Sequence, residues 1–313
     1  MRLPPDARRD EGVHLVLIGT RASEIGRPRP FWIRARLTEF GGLEGWQGIA
    51  QYLQLSEEQM PLLEGPPAAE RRHFASPEEA AAYVKTAARQ AGADVVGITP
   101  VRPYHQVEGY DEPFPVAVVV GMAMSWEEIR QAPATPAGLE TMRVYYELGN
   151  TVIRLAEHIR SLGWEAIGHH PLSEAQGSRL LQYVPMAIDA GLAELGRFGF
   201  AISPALGPVF RLAAVTTDLP LAVDRPPPFG FGIAQFCELC TACVRACPTG
   251  AIPAEKSWVR GVYKWKLDAE ACFPQFASHI GCSICMAVCP YSLPKARDTL
   301  LLKHWAFTGK DPG

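Results

Sequence analysis

All eight cysteines of this 313-residue chain fall between positions 237 and 289. They form two runs. The first, Cys237-Glu-Leu-Cys240-Thr-Ala-Cys243-Val-Arg-Ala-Cys247-Pro248, spaces its thiols as C-x2-C-x2-C-x3-C-P. The second is Cys272, nine further residues, then Cys282-Ser-Ile-Cys285-Met-Ala-Val-Cys289-Pro290. A C-x2-C-x2-C loop converges three sulfurs on one cubane, and the fourth cysteine of each run reaches the neighbouring cluster. The spacing therefore predicts two 4Fe-4S clusters, one on Cys237, Cys240, Cys243 and Cys289, the other on Cys272, Cys282, Cys285 and Cys247. Disulfides would suit a small secreted chain, and zinc favours two separated C-x2-C pairs. Neither accounts for the third cysteine of a run or the proline after the fourth. The nine residues before Cys282, with Phe276 and His279 among them, are expected to loop out and shield the second cluster.

A two-cluster module needs only about 60 residues. More than 200 precede it here, which implies a second unit that uses the electrons. The chain is 48% hydrophobic and 20% charged, an ordinary globular composition. Its net charge of -3 offers no basic field for nucleic acid. The longest apolar run, residues 116–124, is far short of the ~20 residues that a membrane span requires. Arg8-Arg9 resembles a twin-arginine export signal, but Asp10 and Glu11 follow and the next apolar stretch is short. A cytoplasmic protein, in a compartment that keeps thiols reduced, is the expectation.

The elements that must position the cysteines read as follows. Residues 1–12 are a loose arm, 14–19 a short buried strand, and the stretch to 65 is weakly helical around Phe40, Trp46 and Tyr52. Ser76-Pro77-Glu78-Glu79 starts a capped helix that runs to Ala91 and ends at Gly92. Residues 94–98 and 116–121 are β-branched runs expected to be central strands. A loop over 132–137 leads into a helix from about 138 to 162, amphipathic through Val144, Leu148, Leu155 and Ile159. Gly168-His169-His170-Pro171 reads as a turn, 186–195 as a helix, and 200–203 with 209–217 as a hairpin. Asp224-Arg225-Pro226-Pro227-Pro228 is a stiff linker. The expected organisation is a segment over 1–75, an α+β (α/β) unit over 76–224, a cluster domain over 225–295 and a tail over 296–313.

With these elements in order, the chain resembles the cobalamin-dependent reductive dehalogenases and, more distantly, epoxyqueuosine reductase. The residues that carry the resemblance are Gly92-Ala93-Asp94, Met122-Ala-Met124, and Ile159-Arg160-Ser-Leu162-Gly163-Trp164. They continue with residues 190–199, Gly207-Pro208, Arg211, and Thr217-Asp218-Leu219-Pro220-Leu221, and end in the cysteine module with its long second spacing. The resemblance implies a nitroreductase-like fold that cradles a corrinoid (cobalamin), followed by a bacterial ferredoxin-like domain with two clusters. It implies reductive dehalogenation of a small organohalide, with electrons from an external ferredoxin or flavodoxin. The alternatives are an epoxyqueuosine reductase-like reduction and a non-catalytic corrinoid-handling or electron-transfer protein.

Residue by residue, the family's proton-donating tyrosine falls on Tyr145, with Tyr146 beside it. Arg211 and Arg197 are the candidate cations, and His170 is a candidate relay. Gly196, Arg197, Gly207 and Thr217 match the corrinoid-binding block. Respiratory members tend to carry an asparagine where this chain has Gly168-His169-His170-Pro171; a histidine there could replace its hydrogen bond, or could titrate near neutral pH and relay a proton. Epoxyqueuosine reductases place an aspartate at the start of the tyrosine helix, where Val144 and Tyr145 stand here.

Overall fold

The computed structural model describes residues 13–22, 28–36, 42–107, 109–172, 181–279 and 281–308, with side chains from residue 47 onward except at 277, 307 and 308. The arm at 1–12, Phe40 and the Trp46 side chain lie outside the described residues. In chain order the first elements are β1 (Val13–Ala22), β2 (Pro28–Arg36), α1 (Gly42–Gln59), α2 (Pro77–Ala91), β3 (Val95–Pro100) and β4 (Val116–Ala123). Then come α3 (Trp126–Ile129), α4 (Thr135–Ser161), β5 (Ala166–His169), α5 (Tyr183–Asp189), β6 (Glu194–Leu195), β7 (Ala201–Ile202) and β8 (Phe210–Thr217). The cysteine module contributes α6 (Ile233–Leu239), α7 (Ala242–Ala246), β9 (Ser257–Val259), β10 (Val262–Lys264), α8 (Ala269–Ser278), α9 (Ile284–Ala287) and α10 (Pro294–Thr308).

An antiparallel sheet in the order β3-β4-β8-β5 is the frame. Successive side chains of a strand face opposite ways, and both faces of this sheet are covered. Val118, Val120, Ala213 and Val215 pack with α2 and α4, whereas Ala117, Val119, Leu212 and Ala214 pack with α5. A strand buried on both faces reads as a continuous apolar run, which is why β4 was legible. The β3 run was equally apolar and expected to be central, yet β3 lies at the sheet's edge. The linker caps that edge. Asp224 accepts from the Ile98 amide at 2.8 Å and its own amide donates to the Ile98 carbonyl at 2.8 Å.

α2 begins as the capping pattern requires, with Ser76 accepting from the Glu79 amide at 3.2 Å and Gly92 at φ 122 ending it. α4 starts at Thr135, three residues before the expected start, because Pro136 fits the first helical turn rather than a loop. It buries Val144, Leu148, Val152, Leu155 and Ile159 on the sheet, and α1 lies along its other flank through Ile49 and Met142.

Three other expectations are corrected. Residues 166–169 are strand β5, paired with the far end of β8, rather than a turn. Gly168 is there for closeness, since a Cβ would come 3.0 Å from the Leu63 side chain. The helix expected over 186–195 is α5, earlier and shorter, and Glu194-Leu195 leave it to pair with Ala201-Ile202. The expected hairpin between 200–203 and 209–217 does not form, because β8 pairs with β4 and β5.

The cysteine module has its own core of Ile233, Trp265, Tyr291 and Leu301, which also takes in Phe198 and Ile202 from the β6–β7 region. The insert before Cys282, expected as a loop, is helix α8, with Pro274 inside it. The tail expected over 296–313 falls, up to Thr308, in α10 (Pro294–Thr308), which buries Leu301.

Asp224 joins the linker to the sheet edge and also receives Lys85 at 2.6 Å. Asp224→Ala should therefore cost about 1–3 kcal/mol, the usual consequence of stranding a buried amide. Urea unfolding measures this; a loss below about 0.5 kcal/mol, the scatter of ordinary surface substitutions, would show that the edge is held by something else.

Candidate functional site

The helices that carry the cysteines are short, four to ten residues, so the loops between them set where the thiols stand. Cys237 and Cys243 lie on α6 and α7, and Cys240 and Cys247 are the extended residues at which those helices stop. Cys282 and Ser283 adopt φ of 23° and 60°, uncommon for residues with a Cβ, and the Ser283 hydroxyl secures the turn on the Gly281 carbonyl.

The eight thiols separate in space. Cys237, Cys240, Cys243 and Cys289 surround a small cavity closed by Phe198, Phe236 and Tyr291. Cys247, Cys272, Cys282 and Cys285 line a second cavity of about 450 Å³. Each group takes its fourth member from the other run, and Phe198 walls both cavities. Among the described residues no three metal-ligating side chains converge as around a single ion. The thiols ring a space instead.

Burial pushes most of these thiols up, Cys243 to about 11 and Cys285 to about 12, with Cys289 higher still. Burial acts on Cys247 as well, but hydrogen bonds from the Thr249 side chain and the amides of Thr249, Ala251 and Ile252 outweigh it and bring that thiol down. Thiols so reluctant to ionise become good ligands only when a metal supplies the compensating positive charge.

Tyr145 of α4 and Arg211 of β8 line the same cavity as the second group of thiols. The Arg211 guanidinium carbon is 5.4 Å from the Tyr145 ring centroid. Its Nη2 donates to the Thr141 hydroxyl at 3.2 Å and its Nη1 to the Met286 sulfur at 3.6 Å, while buried Nε has no partner among the described residues. Tyr146, one residue on, turns away toward α1, its ring 6.2 Å from that of Tyr52. Phe200, Phe210, Phe273 and Phe276 complete a largely apolar wall.

The other residues singled out by sequence stand elsewhere. Arg197 faces the first group, where its guanidinium donates to the carbonyls of Cys237, Glu238, Cys240 and Ala254. A Cβ on Gly196 would come 2.6 Å from Ile202, and one on Gly207, at φ 66, would come 2.2 Å from the Tyr291 carbonyl. Both glycines are close approaches between backbone and neighbour. The Thr217 hydroxyl donates to the Glu165 carbonyl at 2.6 Å and accepts from Leu219, which ends β8. None of these four residues lines the second cavity.

Arg197 and Arg211 are 3% and 9% exposed, and among the described residues each is bonded to neutral oxygen or sulfur atoms rather than to a carboxylate. A buried cation without a counter-ion costs several kcal/mol. A cubane on four thiolates is an anion, so the residues present at each thiol group fit such a cluster in charge as well as in number.

The geometry agrees with what known proteins show. Residues 236–293 match the family of the 4Fe-4S dicluster domain. Over 263 residues the chain is 31% identical to a tetrachloroethene reductive dehalogenase of Sulfurospirillum multivorans, a match to 69% of this chain and 51% of that protein. A solved reductive dehalogenase, described for B12-dependent dehalogenation, superposes with a TM-score of 0.71 at 28% identity, over 80% of this chain and 38% of its own. The chain is homologous to the reductive dehalogenases. An epoxyqueuosine reductase of Leadbetterella byssophila matches a shorter stretch, 34% identical over 110 residues and covering 33% of this chain and 34% of that protein. The fold is α+β with a dicluster ferredoxin-like module at its C-terminal side. The chain spans about half the length of the curated dehalogenase that it matches.

Of the two roles open to His169 and His170, titration near neutrality is not the one the fold favours. Burial pulls both His169 and His170 down to about 4. His170 Nδ1 accepts from the Leu172 amide at 2.9 Å, so Nε2 carries the hydrogen and donates to Gln59 Oε1 at 2.9 Å. Gln59 in turn donates to Asn150 and to the Tyr146 carbonyl. A Cβ on Gly149 would come 2.3 Å from both Gln59 and His170. His170 thus braces the back of α4, outside the cavity lining, while its neighbour Pro171 lines the cavity. His169 pairs with Thr216 at 2.9 Å and lies 3.4 Å from Glu112, whose carboxyl burial raises. Thr141, Gln59 and Glu112 escaped the sequence reading, since nothing marks a lone polar residue as a partner of one far along the chain.

Because an unfolded histidine titrates near about 6.5 and these near about 4, the unfolded chain takes up the protons first as pH falls. Acidification through that window should cost about 1.4 kcal/mol per pH unit for each histidine, offset in part by Glu112, which gains its proton in the fold. His170→Gln retains a donor and an acceptor and should lose less Tm than the wild type between about pH 7 and about pH 5. Equal losses would show that His170 is not held neutral.

Proposed function

We propose that this chain is the catalytic part of a corrinoid iron–sulfur reductase that replaces the halogen of a small aromatic or unsaturated organohalide by hydrogen. The observation that carries the reading is a single cavity lined by a phenol, a guanidinium and four thiols spaced as cluster ligands. Two electrons and one proton must meet there for a carbon–halogen bond to become a carbon–hydrogen bond and a halide. A homologue described for B12-dependent dehalogenation shares the fold around that cavity, and a flat macrocycle suits its aromatic walls. Phe200, Pro208, Phe210 and Leu212 are the residues that would bound it. When bound, clusters and corrinoid supply low-potential electrons one at a time.

The chain's own residues do the rest. Tyr145 holds a proton on its hydroxyl at the cavity. A phenol is a weak acid at neutral pH, and the negative charge left on its oxygen needs a cation close by. Arg211 is that cation. Its fixed position, set by Thr141 and Met286, means that no reorganisation accompanies proton transfer. The apolar walls exclude water that would compete as proton source and screen the charge. Partners under this reading are a small-molecule substrate and a low-potential ferredoxin or flavodoxin.

Anaerobic reconstitution should yield about eight irons and about eight acid-labile sulfides per chain, and the purified protein should take up cobalamin with a corrin absorbance. About four irons after full loading would remove the two-cluster reading. Protein that never binds corrinoid would leave only an electron carrier. Under a low-potential reductant, halogenated phenols and alkenes should turn over and queuosine-precursor tRNA should not. Tyr145→Phe should lower turnover by about 10² to 10⁴, the usual worth of a positioned acid, and leave iron and corrin content unchanged. Tyr146→Phe should be close to wild type. Reversal of those two outcomes would place the proton donor on the other face of α4.

A further inference from the structure

One face of the cysteine module is unlike the rest of the surface. β9 and β10 form a short antiparallel hairpin, turned by Arg260 and Gly261 at φ 47° and 80°. Trp258 and Tyr263 are cross-strand partners with ring centroids 5.5 Å apart, and they are 74% and 56% exposed. Val262 beside them is 54% exposed. Over residues 255–266 four cations, Lys256, Arg260, Lys264 and Lys266, stand against a single carboxylate, Glu255, on a chain whose net charge is -3. Exposed aromatics beside an arginine have the composition of an interface rather than of ordinary surface, and the lysines add a local positive field.

The hairpin is fastened to the first thiol group. Trp265, just after β10, is 3% exposed and is flanked by the Arg197 guanidinium at 4.8 Å and the Lys256 ammonium at 4.2 Å. Lys256 also pairs with Glu238, and Arg197 ties Ala254, just before the hairpin, to the carbonyls of Cys237 and Cys240. Leu239, between those two cysteines, is 87% exposed. The second thiol group lines the cavity with Tyr145 and Arg211, and the first group does not. Electrons destined for that cavity therefore come in by the first group.

We propose that the β9–β10 hairpin, with Leu239, is the docking face for a small acidic electron-carrier protein that delivers electrons to the first thiol group's cluster. This rests on the cluster reading of the cysteines given above. A three-residue, two-stranded hairpin is too small for a stable dimer interface, but transient redox encounters bury under about 1,200 Å² in all. The local excess of cations on an acidic chain orients an acidic partner to this face and raises its association rate.

The test uses the fully reconstituted protein, the double variant Arg260→Glu with Lys264→Glu, and Trp258→Ala. Cluster bleaching is followed by stopped flow with two reductants, flavodoxin hydroquinone and reduced methyl viologen. The charge-reversed variant should lose about tenfold or more in rate with flavodoxin at low salt and much of its salt dependence, with the viologen rate unchanged. Trp258→Ala should lose rate at all salt concentrations, again with flavodoxin only. Equal flavodoxin rates in wild type and variants would overturn the proposal. So would a wild type that viologen reduces and flavodoxin does not, or a charge reversal that abolishes binding to anionic vesicles, or self-association, at an unaltered flavodoxin rate. A wild type that viologen fails to bleach would remove the cluster reading, and the docking face with it.

Discussion

The short helix α6 carries the first thiol, and the protein depends on its being fastened at both ends from one small strand pair. Glu194 of β6 accepts from the amides of Phe231 and Ala234 at 2.6 and 2.8 Å, at the positive end of the helix. Arg197, three residues later, gathers the carbonyls of Cys237, Glu238 and Cys240 at the negative end. Each charge sits at the helix end whose dipole it complements. A seven-residue helix would not persist in water by itself, and hydrogen bonds to charged groups contribute roughly 1.5–3 kcal/mol apiece. Gly230 leaves room for this arrangement, since a Cβ there would come 2.0 Å from the Glu194 carboxylate.

That clamp also sets the relation between cysteine module and sheet. β6 and β7 contribute Phe198 and Ile202 to the module's core, while β7's Ala201 packs with the α5 side of the sheet. Gly207 brings the chain against the Tyr291 carbonyl just before β8 begins, so the first residues of β8 line the same cavity as the second thiol group. The cavity is what remains between them. On its sheet side α4 supplies Tyr145, and the brace of Gln59 and His170 behind Gly149 fixes that helix from the rear. A small displacement of α4 would part the phenol from the guanidinium, which explains a glycine in the middle of a long helix despite its cost of about 1 kcal/mol there.

The cysteine spacing was legible because a cubane imposes it. The Ser76 cap and the apolar run of β4 were legible because each is a local signal with a single structural answer. β3 misled because the linker covers its open edge, so an edge strand could keep the composition of a central one. The His169 strand misled because Gly168 serves packing against Leu63 where a sequence reader sees a turn residue. Arg197 stood in the right block, but sequence cannot say which of two adjoining cavities a long side chain will face. The register that chose Tyr145 over Tyr146 did depend on a local regularity, the roughly 100° between successive helical residues, and the structure places the two rings on different sides.

On the proposed cluster reading, the two buried guanidiniums set how charge is distributed along the electron path. An electron arriving at a buried cluster adds negative charge where solvent cannot answer it, and burial alone opposes that addition, as it opposes ionisation of Cys285 and Cys289. Arg197 stands beside the first group and Arg211 beside the second, so each point at which charge arrives has a fixed cation that needs no solvent rearrangement. The two differ in what else they touch. Arg197 is saturated by backbone carbonyls and can only bias its own cluster. Arg211 keeps one nitrogen uncommitted among the described residues and lies near a phenol. Among the described residues that combination is found at Arg211 alone, where, on the proposed reading, charge added by an electron and charge left by a departing proton meet the same cation.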